Sequence, residues 1–318
     1  MTSGAVTPSS VLVAGEALVD LTPTDVGGAL AYLPCPGGGP FNTAVGLGRL
    51  GVPVAFFGRL SHDGFGRLLA SRLAEAGVQL AFTLHGDEPT PLAVVTPGAP
   101  GQENEFQFYV ERTADRLVTA ADLPTDLSGV AALHVGTLGL HLEPVATSLE
   151  LLVTREAGHR LVGYDPNVRP ALVGDRAAFT ARVGRIATLA DVVKVSDADA
   201  AWLAPGTAPE QLAARWVEAG AGLVVITRGA AGAVAMASAA GRVEAEAVPA
   251  DVVDTVGAGD AFNAGLLTWL HDHGRLSSNA VRALGAEEVA AALQFAATVA
   301  AATCGRAGAD PPWRHELG

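Results

Sequence analysis

The stretch Asp254-Thr255-Val256-Gly257-Ala258-Gly259-Asp260-Ala261-Phe262 sets a turn of small residues directly before an acid and an apolar helix. The first N–H groups of a helix have no partners within the helix and lie at the positive end of its dipole, so they form a site for anions. Asp260 is expected to stay ionised near neutral pH in this first turn, where it could accept a proton from a hydroxyl. Alone, the pattern is equally typical of a tight turn followed by a first-turn acid.

A second glycine turn lies near the other end of the chain, in Pro36-Gly37-Gly38-Gly39-Pro40-Phe41-Asn42. Its glycines would let the backbone come close to a ligand, and an amphipathic helix follows. Asn42 offers both a hydrogen-bond donor and an acceptor. Alone, this turn is also typical of a Gly-rich loop with a capping Asn.

Strand-like apolar runs alternate with helical patterns as far as Thr227. The strands are predicted at 11–14, 54–57, 132–135, 160–164, 191–195 and 222–227. The helices are predicted at 41–50, 65–76, 145–157, 176–188 and 209–219. This order predicts an α/β fold with a parallel sheet and crossover helices. Beyond Thr227 we expect short strands at 233–237 and 242–247, then long helices from Gly259 onward.

Two extended stretches, about residues 18–36 and 92–112, interrupt this alternation. Neither has the apolar bulk of an independent domain, so we predict one domain over residues 1–318. The two stretches are expected to pair as a small β-sheet that covers one edge of the core as a lid.

Composition narrows the class of protein. Hydrophobic residues make up 49% of the 318, as in a globular protein. The longest apolar stretch, 289–304, is interrupted by Gln294 and is too short for a membrane span. Residues 1–10 have neither a basic residue nor an apolar core, so no secretory signal is expected and the cytoplasm is the default compartment. Cys35 and Cys304 are too few for a disulfide framework or a thiolate metal site.

The net charge and the scarcity of lysine argue against several classes of binding partner and nucleotide site. The formal net charge of −13 argues against a nucleic-acid partner and against an anionic membrane surface. Lys194 is the only lysine, and its context Val-Val-Lys-Val-Ser matches neither a P-loop nor the strand lysine of a protein kinase. A nucleotide would therefore be held by backbone, metal and arginine.

The two glycine turns, in this order, resemble the ribokinase-like (PfkB) carbohydrate kinase family, and within it the bacterial fructokinases. Further family-like landmarks lie between and around them: Gly15-Glu16-Ala17-Leu18-Val19-Asp20, Asp165-Pro166-Asn167-Val168-Arg169, Lys194-Val195-Ser196-Asp197 and Ile226-Thr227-Arg228-Gly229. The resemblance extends over nearly the whole chain. It implies a three-layer α/β/α sandwich with a mostly parallel central sheet and a small β-sheet lid.

The resemblance also implies roles around the transferred phosphate and the sugar. Asp260 would be the general base for a sugar hydroxyl, and the amides of Gly257, Ala258 and Gly259 would form the anion hole for the γ-phosphate of ATP, with no side-chain cation required there. The matched sugar-binding positions are Asp20, Gly38, Gly39 and Asn42, with Arg112 and Arg169 as second-rank contacts to substrate or phosphate.

On the nucleotide side, the family pattern matches Ser196, Thr227 and Gly229. Asp199 stands where the family usually has a Glu that orders Mg²⁺ through water, and an aspartate reaches one methylene less far. Many members also bind a monovalent cation, and the matching positions are Asp254, Val256, Thr303 and Gly308. Activation by K⁺ is therefore a hypothesis.

The resemblance leads us to expect an ATP-dependent kinase acting on a monosaccharide, with fructose first. The alternatives are 2-keto-3-deoxygluconate or ribose, and more distantly a nucleoside, which an aromatic content of only 5% disfavours. A catalytically silent sugar-binding relative is a further alternative, although retention of Asp260 argues against it. The expected partners are the sugar and ATP, with a homodimer formed through the lid as a further possibility.

Overall fold

The computed structural model describes residues 10–96 and 105–318. Its strands are β1 (Ser10–Ala14), β2 (Leu18–Val26), β3 (Ala29–Gly37), β4 (Val54–Phe57), β5 (Arg59–Ser61), β6 (Leu84–Gly86), β7 (Leu92–Thr96), β8 (Glu105–Tyr109), β9 (Val130–Gly136), β10 (Leu161–Asp165), β11 (Val192–Ser196), β12 (Leu223–Thr227), β13 (Ala233–Ala237) and β14 (Gly241–Ala245). Its α-helices are α1 (Gly39–Arg49), α2 (Gly64–Glu75), α3 (Val145–Glu156), α4 (Arg176–Leu189), α5 (Asp197–Leu203), α6 (Pro209–Glu218), α7 (Ala258–Asp272), α8 (Ser278–Arg282) and α9 (Ala286–Cys304).

The central sheet has the strand order β14-β13-β12-β11-β10-β9-β1-β4. The strands from β12 to β4 in this order pair in parallel, and β13 and β14 add an antiparallel edge. Nearly every residue of the parallel strands is buried, because helices cover both faces. The predicted mostly parallel sheet is confirmed.

Two hydrophobic clusters lie on opposite faces of this sheet, since successive strand residues point to opposite sides. On β1, Val11 and Val13 join the cluster that contains side chains of α1, α2, α7 and α9. Leu12 and Ala14 join the cluster that contains side chains of α3, α4 and α6. The result is the three-layer α/β/α arrangement that the family resemblance implies.

A second sheet, in the order β3-β2-β7-β8, is formed by the two stretches that interrupt the alternation. β2 pairs antiparallel with β3 and parallel with β7, and β7 pairs antiparallel with β8. This is the small lid sheet expected from the sequence. Residues 97–104 of the predicted lid lie outside the described residues. We call the four strands together the lid.

The predicted elements differ from the structure mainly at their ends. α1 begins at Gly39 instead of residue 41, because Pro40 is tolerated in the first turn of a helix and has its φ already set. α5 was not predicted, and it begins where the Ser196 hydroxyl accepts a hydrogen bond from the Asp199 amide at 3.0 Å. Within residues 10–96 and 105–318, no helix combines the length and the apolar character needed to cross a membrane.

Candidate active site

A cleft of about 440 Å³ opens at the carboxyl ends of the parallel strands, under the lid. Ligand sites of open α/β sheets lie at this edge. The residues that line it are Glu16, Leu18, Asp20, Gly38, Gly39, Asn42, Phe106, Phe108, Thr137, Leu138, Asn167, Arg169, Lys194, Ser196, Asp199, Thr227, Thr255, Val256, Gly257, Gly259 and Asp260. The two glycine turns, far apart in the sequence, therefore meet in one cleft.

The turn before α7 depends on Gly257, which has a φ of 77° and is the residue that precedes the helix. A side chain is disfavoured here twice over, because this φ suits glycine and because a Cβ atom would lie 2.6 Å from Cβ of Ala309. Gly257 and Gly259 face the cleft. Ala258 is not among the lining residues, and its amide donates to the Thr255 carbonyl at 3.3 Å.

Asp260 is buried in the first turn of α7, with 8% of its surface exposed. Asn42 donates from Nδ2 to its Oδ2 at 2.8 Å. Burial raises the pKa of Asp260 to about 7; Asp165 adds to the rise, while the Asn42 hydrogen bond, Lys194 and Arg169 oppose it. Asp260 is therefore only partly ionised near neutral pH, less than expected from the sequence, because desolvation outweighs the effect of the helix N-terminus.

Lys194 lies in the cleft although the sequence patterns assigned it no place there. It lines the cleft at 5% exposure, and its Nζ donates to Oδ2 of Asp165 at 2.9 Å. Asn263 donates to the same oxygen at 2.7 Å. A Cβ atom on Gly259 would lie only 2.8 Å from Nζ, so a cation does stand beside the glycine turn. The signal was available, since the chain's single lysine lies within a strand of the parallel sheet, two residues before its carboxyl end.

The charge on Lys194 is retained despite its burial. Desolvation acts to lower the pKa of Lys194, but Asp165, with Asp260 and Asp199, raises it above its usual value. A buried ammonium at the mouth of an N–H-rich turn makes this part of the cleft attractive to a polyanion.

The predicted sugar-binding residues lie around Asp260. A Cβ atom on Gly39 would come within 3.3 Å of Oδ1 of Asp260, and one on Gly37 within 2.4 Å of Oδ2 of Asp20, so the turn packs against both carboxylates. Burial raises the pKa of Asp20 to about 6; Arg169 opposes the rise and Asp254 adds to it.

The two second-rank arginines differ in position. Arg169 lines the cleft, with Nη1 donating to Oδ1 of Asn167 at 2.6 Å. Arg112 follows β8 with a φ of 55°, is exposed, and is not among the cleft-lining residues.

On the predicted nucleotide side, Ser196 and Thr227 line the cleft at the ends of β11 and β12. Gly229 begins a short 3₁₀ helix outside the lining. Asp199 lines the cleft, and its Oδ1 accepts from the Val168 amide at 3.1 Å. Burial raises the pKa of Asp199 above its usual range. Across the described part of the chain, no three His, Cys, Asp or Glu side chains form a group that could hold a metal ion.

The positions matched to a monovalent cation are only partly brought together. Asp254 accepts from the amide of Val256 at 3.0 Å and from that of Gly308 at 2.9 Å, which ties two loops into one unit. Thr303 is buried in the last turn of α9, where its carbonyl accepts from the Arg306 amide at 3.0 Å. The next residue, Cys304, accepts from the Asp254 amide at 3.2 Å, so Thr303 lies beside this unit.

A buried carboxylate in the first turn of a helix lies beside a buried ammonium at the carboxyl edge of a parallel sheet, an arrangement suited to phosphoryl transfer. The chain belongs to the pfkB family of carbohydrate kinases, since residues 9–316 match the family's sequence pattern. It is 40% identical over 278 residues to a fructokinase of Rhizobium leguminosarum bv. trifolii. The matched region covers 86% of this chain and 83% of that relative.

Solved structures of the same fold agree. Fructokinase from Xylella fastidiosa with bound ATP is 28% identical, with a TM-score of 0.87 and coverage of 97% of both chains. Aminoimidazole riboside kinase from Salmonella enterica, complexed with aminoimidazole riboside and an ATP analog, is 28% identical, with a TM-score of 0.82. The superposed region covers 97% of this chain and 98% of the riboside kinase chain.

Proposed function

We propose that this carbohydrate kinase is a fructokinase that transfers the γ-phosphate of ATP to a hydroxyl of fructose in the cytoplasm. The observation that carries the proposal is the position of Asp260, held by Asn42 at 2.8 Å beside the glycine turn of α7. The similarity to fructokinases supports the choice of sugar.

The cleft suits a triphosphate, because Gly257 and Gly259 line it and the Lys194 ammonium lies beside Gly259. Bound ATP with Mg²⁺ would supply the phosphoryl group and neutralise its charge, with Asp199 as the candidate to hold the ion through water. Ser196 and Thr227 would line the nucleotide side. Lys194 and the amides at the turn would stabilise negative charge, since such groups are already oriented before the reaction.

Asp260 would take up the proton of the attacking hydroxyl. Its Oδ2 is engaged by Asn42, and its Oδ1 lies on the side of Gly39. The ionised form accepts the proton at this oxygen, and the carboxyl group then returns it to solvent. Asp20, Gly38, Gly39 and Asn42 would hold the other sugar hydroxyls, with Arg169 beside the transferred group.

A riboside is a second candidate substrate, favoured by two aromatic side chains. Phe106 and Phe108 of the lid both line the cleft, with ring centroids 6.3 Å apart and an interplanar angle of 20°. Aromatic faces of this kind stack on flat rings. The low aromatic content disfavoured a nucleoside, but these two rings line the same cleft as Asp20 and Asn42.

The test is ADP release with Mg-ATP and, in turn, fructose, ribose, 2-keto-3-deoxygluconate and adenosine. We expect the highest kcat/KM with fructose. A higher kcat/KM with adenosine than with fructose would show that the substrate is a riboside. No release with any of them would favour a sugar-binding relative without catalysis.

Activation by K⁺ is a separate proposal, supported by the joining of Asp254, Val256 and Gly308 next to the anion-binding turn. Backbone carbonyls of these loops and of Thr303 would bind the ion. Turnover should rise when potassium chloride replaces sodium or choline chloride at equal ionic strength. Equal rates in the three salts would contradict it.

A further inference from the structure

Glu16 is the most buried carboxylate of the cleft and has no role in the chemistry described above. It follows β1 and is 1% exposed. Its Oε1 accepts from the Gly39 amide at 3.1 Å, and its Oε2 accepts from the Gly139 amide at 2.9 Å. One side chain therefore joins two loops from different parts of the chain.

Each of these loops carries residues of the cleft. Gly39 is the first residue of α1, the helix that presents Asn42 to Asp260. Gly139 belongs to the 3₁₀ helix Thr137–Leu140, whose Thr137 accepts from Nδ2 of Asn167 at 3.1 Å. The two loops touch, since a Cβ atom on Gly39 would lie 2.2 Å from Oγ1 of Thr137.

The Thr137–Leu140 helix and the loop after β10 each contain an uncommon backbone conformation. Thr137 has a φ of 52° and Asn167 a φ of 37°, values that cost free energy in residues other than glycine. Such a conformation persists only when its surroundings fix it. The Glu16 bond to Gly139, two residues beyond Thr137, is one of the contacts that do so.

We propose that Glu16 is a positioning residue for phosphoryl transfer, which fixes the start of α1 against the 137–140 helix so that Asn42 keeps Oδ1 of Asp260 directed at the sugar. The proposal rests on the proposed function. It is carried by the two amide bonds and by the burial of Glu16, because a buried polar group is stable only when it is paired.

The electrostatics show that hydrogen bonds rather than an ion pair hold Glu16. Burial raises its pKa to about 8; the buried Asp115 adds to the rise, and the amides of Gly139 and Gly39 oppose it. Among the described residues, the ion pairs do not include Glu16. The side chain is therefore sensitive to the number and placement of its acceptor oxygens.

Glu16→Gln, assayed above the pKa of about 8 where the Glu16 carboxylate is ionised, tests this most directly, because it replaces one acceptor oxygen by an NH₂ group that would face an amide N–H. The matched control is Glu156→Gln, which changes another buried glutamate, on α3, that pairs with Arg155 and Arg160 away from the cleft. We expect kcat for fructose to fall roughly 10- to 100-fold in the first variant. The control should keep the kcat of the unmodified enzyme even where its stability falls.

Two further readouts separate positioning from a merely structural role. The acid limb of the pH profile should move to higher pH in Glu16→Gln, because the Asn42 bond to Asp260 loosens. Hydrogen exchange should accelerate at the amides of the first turn of α1 and not in α7. Unchanged kcat, acid limb and exchange would overturn the proposal.

The exchange measurement does not depend on activity, so it decides the role of Glu16 even if the unmodified protein phosphorylates no sugar. Inactivity of the unmodified protein would count against the proposed function alone. If Glu16→Gln does not fold, Glu16→Asp gives the same readouts, because the shorter side chain cannot reach both amides.

Discussion

Asp260, the general base of the proposed reaction, has an affinity for protons well above that of an ordinary aspartate. Its pKa of about 7 means that a large fraction is ionised at neutral pH and that the carboxylate still binds a proton readily. A base works best when its pKa lies near the operating pH. Burial therefore brings the pKa of Asp260 close to the pH at which the proposed base would work.

The pH dependence of the reaction follows from that pKa. Only the ionised form accepts a proton, so kcat/KM should fall about tenfold per pH unit well below pH 7. A pH profile of initial rates at low sugar concentration measures this. Rates that stay level down to pH 5 would mean that another group takes the proton.

The same group links stability to pH in the opposite sense from an ordinary ion-paired acid. The pKa of Asp260 in the folded state, about 7, exceeds its ordinary value of 3.8, so the unfolded chain loses the proton first. Its contribution to stability is full below pH 3.8 and is lost as the pH rises to about 7.

Replacing the base should separate catalysis from folding. Asp260→Asn is expected to reduce turnover by roughly 10²- to 10⁴-fold while sugar affinity stays nearly intact. At pH 8 its melting temperature should exceed that of the unmodified protein, because a buried charge is removed. Calorimetry and steady-state rates measure both effects.

The control is Asp272→Asn, at the other end of α7 in an ion pair with Arg314, which should leave turnover unchanged. Near-normal activity of Asp260→Asn would remove it from the role of base.

At this scale the sequence indicated much of the cleft but not its electrostatics. Local patterns mark the glycine turns and first helical turns that contain Asp260, Asn42, Gly38 and Gly39, and the family resemblance implied their roles. The pairing of Lys194 with Asp165 joins the ends of neighbouring strands, and the pKa of Asp260 depends on burial. Both depend on tertiary contacts that no local pattern contains.

At the scale of the element, α7 can begin where it does because Gly257 adopts a φ of 77°. Gly257→Ala should lose roughly 1–2 kcal/mol from this φ alone and more from the clash with Ala309. We also expect a fall in turnover, since the amides at the turn move. Chemical denaturation and rate measurements would detect the two effects.

Gly274→Ala is the matched control, because Gly274 has a φ of 65° and open space where the Cβ atom would lie. This variant should lose the free energy of unfolding that a positive φ costs an alanine, while its turnover stays unchanged. Equal stability and equal rates in the two variants would show that the contact with Ala309 is unimportant.

Most elements were predictable because their signals are local. The parallel strands lie within two residues of their predicted ends, since continuous apolar runs and the glycines after helices mark them. α5 was missed because its seven residues are too few for a periodic pattern. That the two extended stretches pair could be predicted, but the register of β2 against β7 could not, because it depends on contacts between distant segments.

At the scale of the whole molecule, the lid exposes apolar side chains that a second copy could cover. Leu30 and Leu33 of β3 are 71% and 58% exposed, and β3 is an edge strand. An exposed apolar edge favours association. We propose a homodimer through the lid, and Leu33→Glu should convert it to a monomer in sedimentation experiments.

Leu151→Glu is the control for the dimer, because Leu151 is an exposed leucine on α3, away from the lid. It should leave the dimer intact. A monomeric unmodified protein at micromolar concentration would contradict the proposal.

The fold could be predicted from the order of elements, whereas the substrate could not. A sheet of given topology hosts many substrates, and the choice depends on the side chains that the lid brings over the cleft. Phe106 and Phe108 make up little of the composition, yet both reach the site. Their position in the cleft depends on the pairing of β8 with β7, which the sequence alone does not specify.

The burial of Lys194 gives the protein an unusual chemical property. Reagents that acylate amines normally modify many surface lysines, but the one ε-amino group of this chain is 5% exposed and paired with Asp165. Covalent labelling of lysine would therefore report on a single position in the cleft. The rate of that labelling reflects how often the cleft opens, so a mass spectrum of the peptide that contains Lys194 can follow this opening and its suppression by ligands.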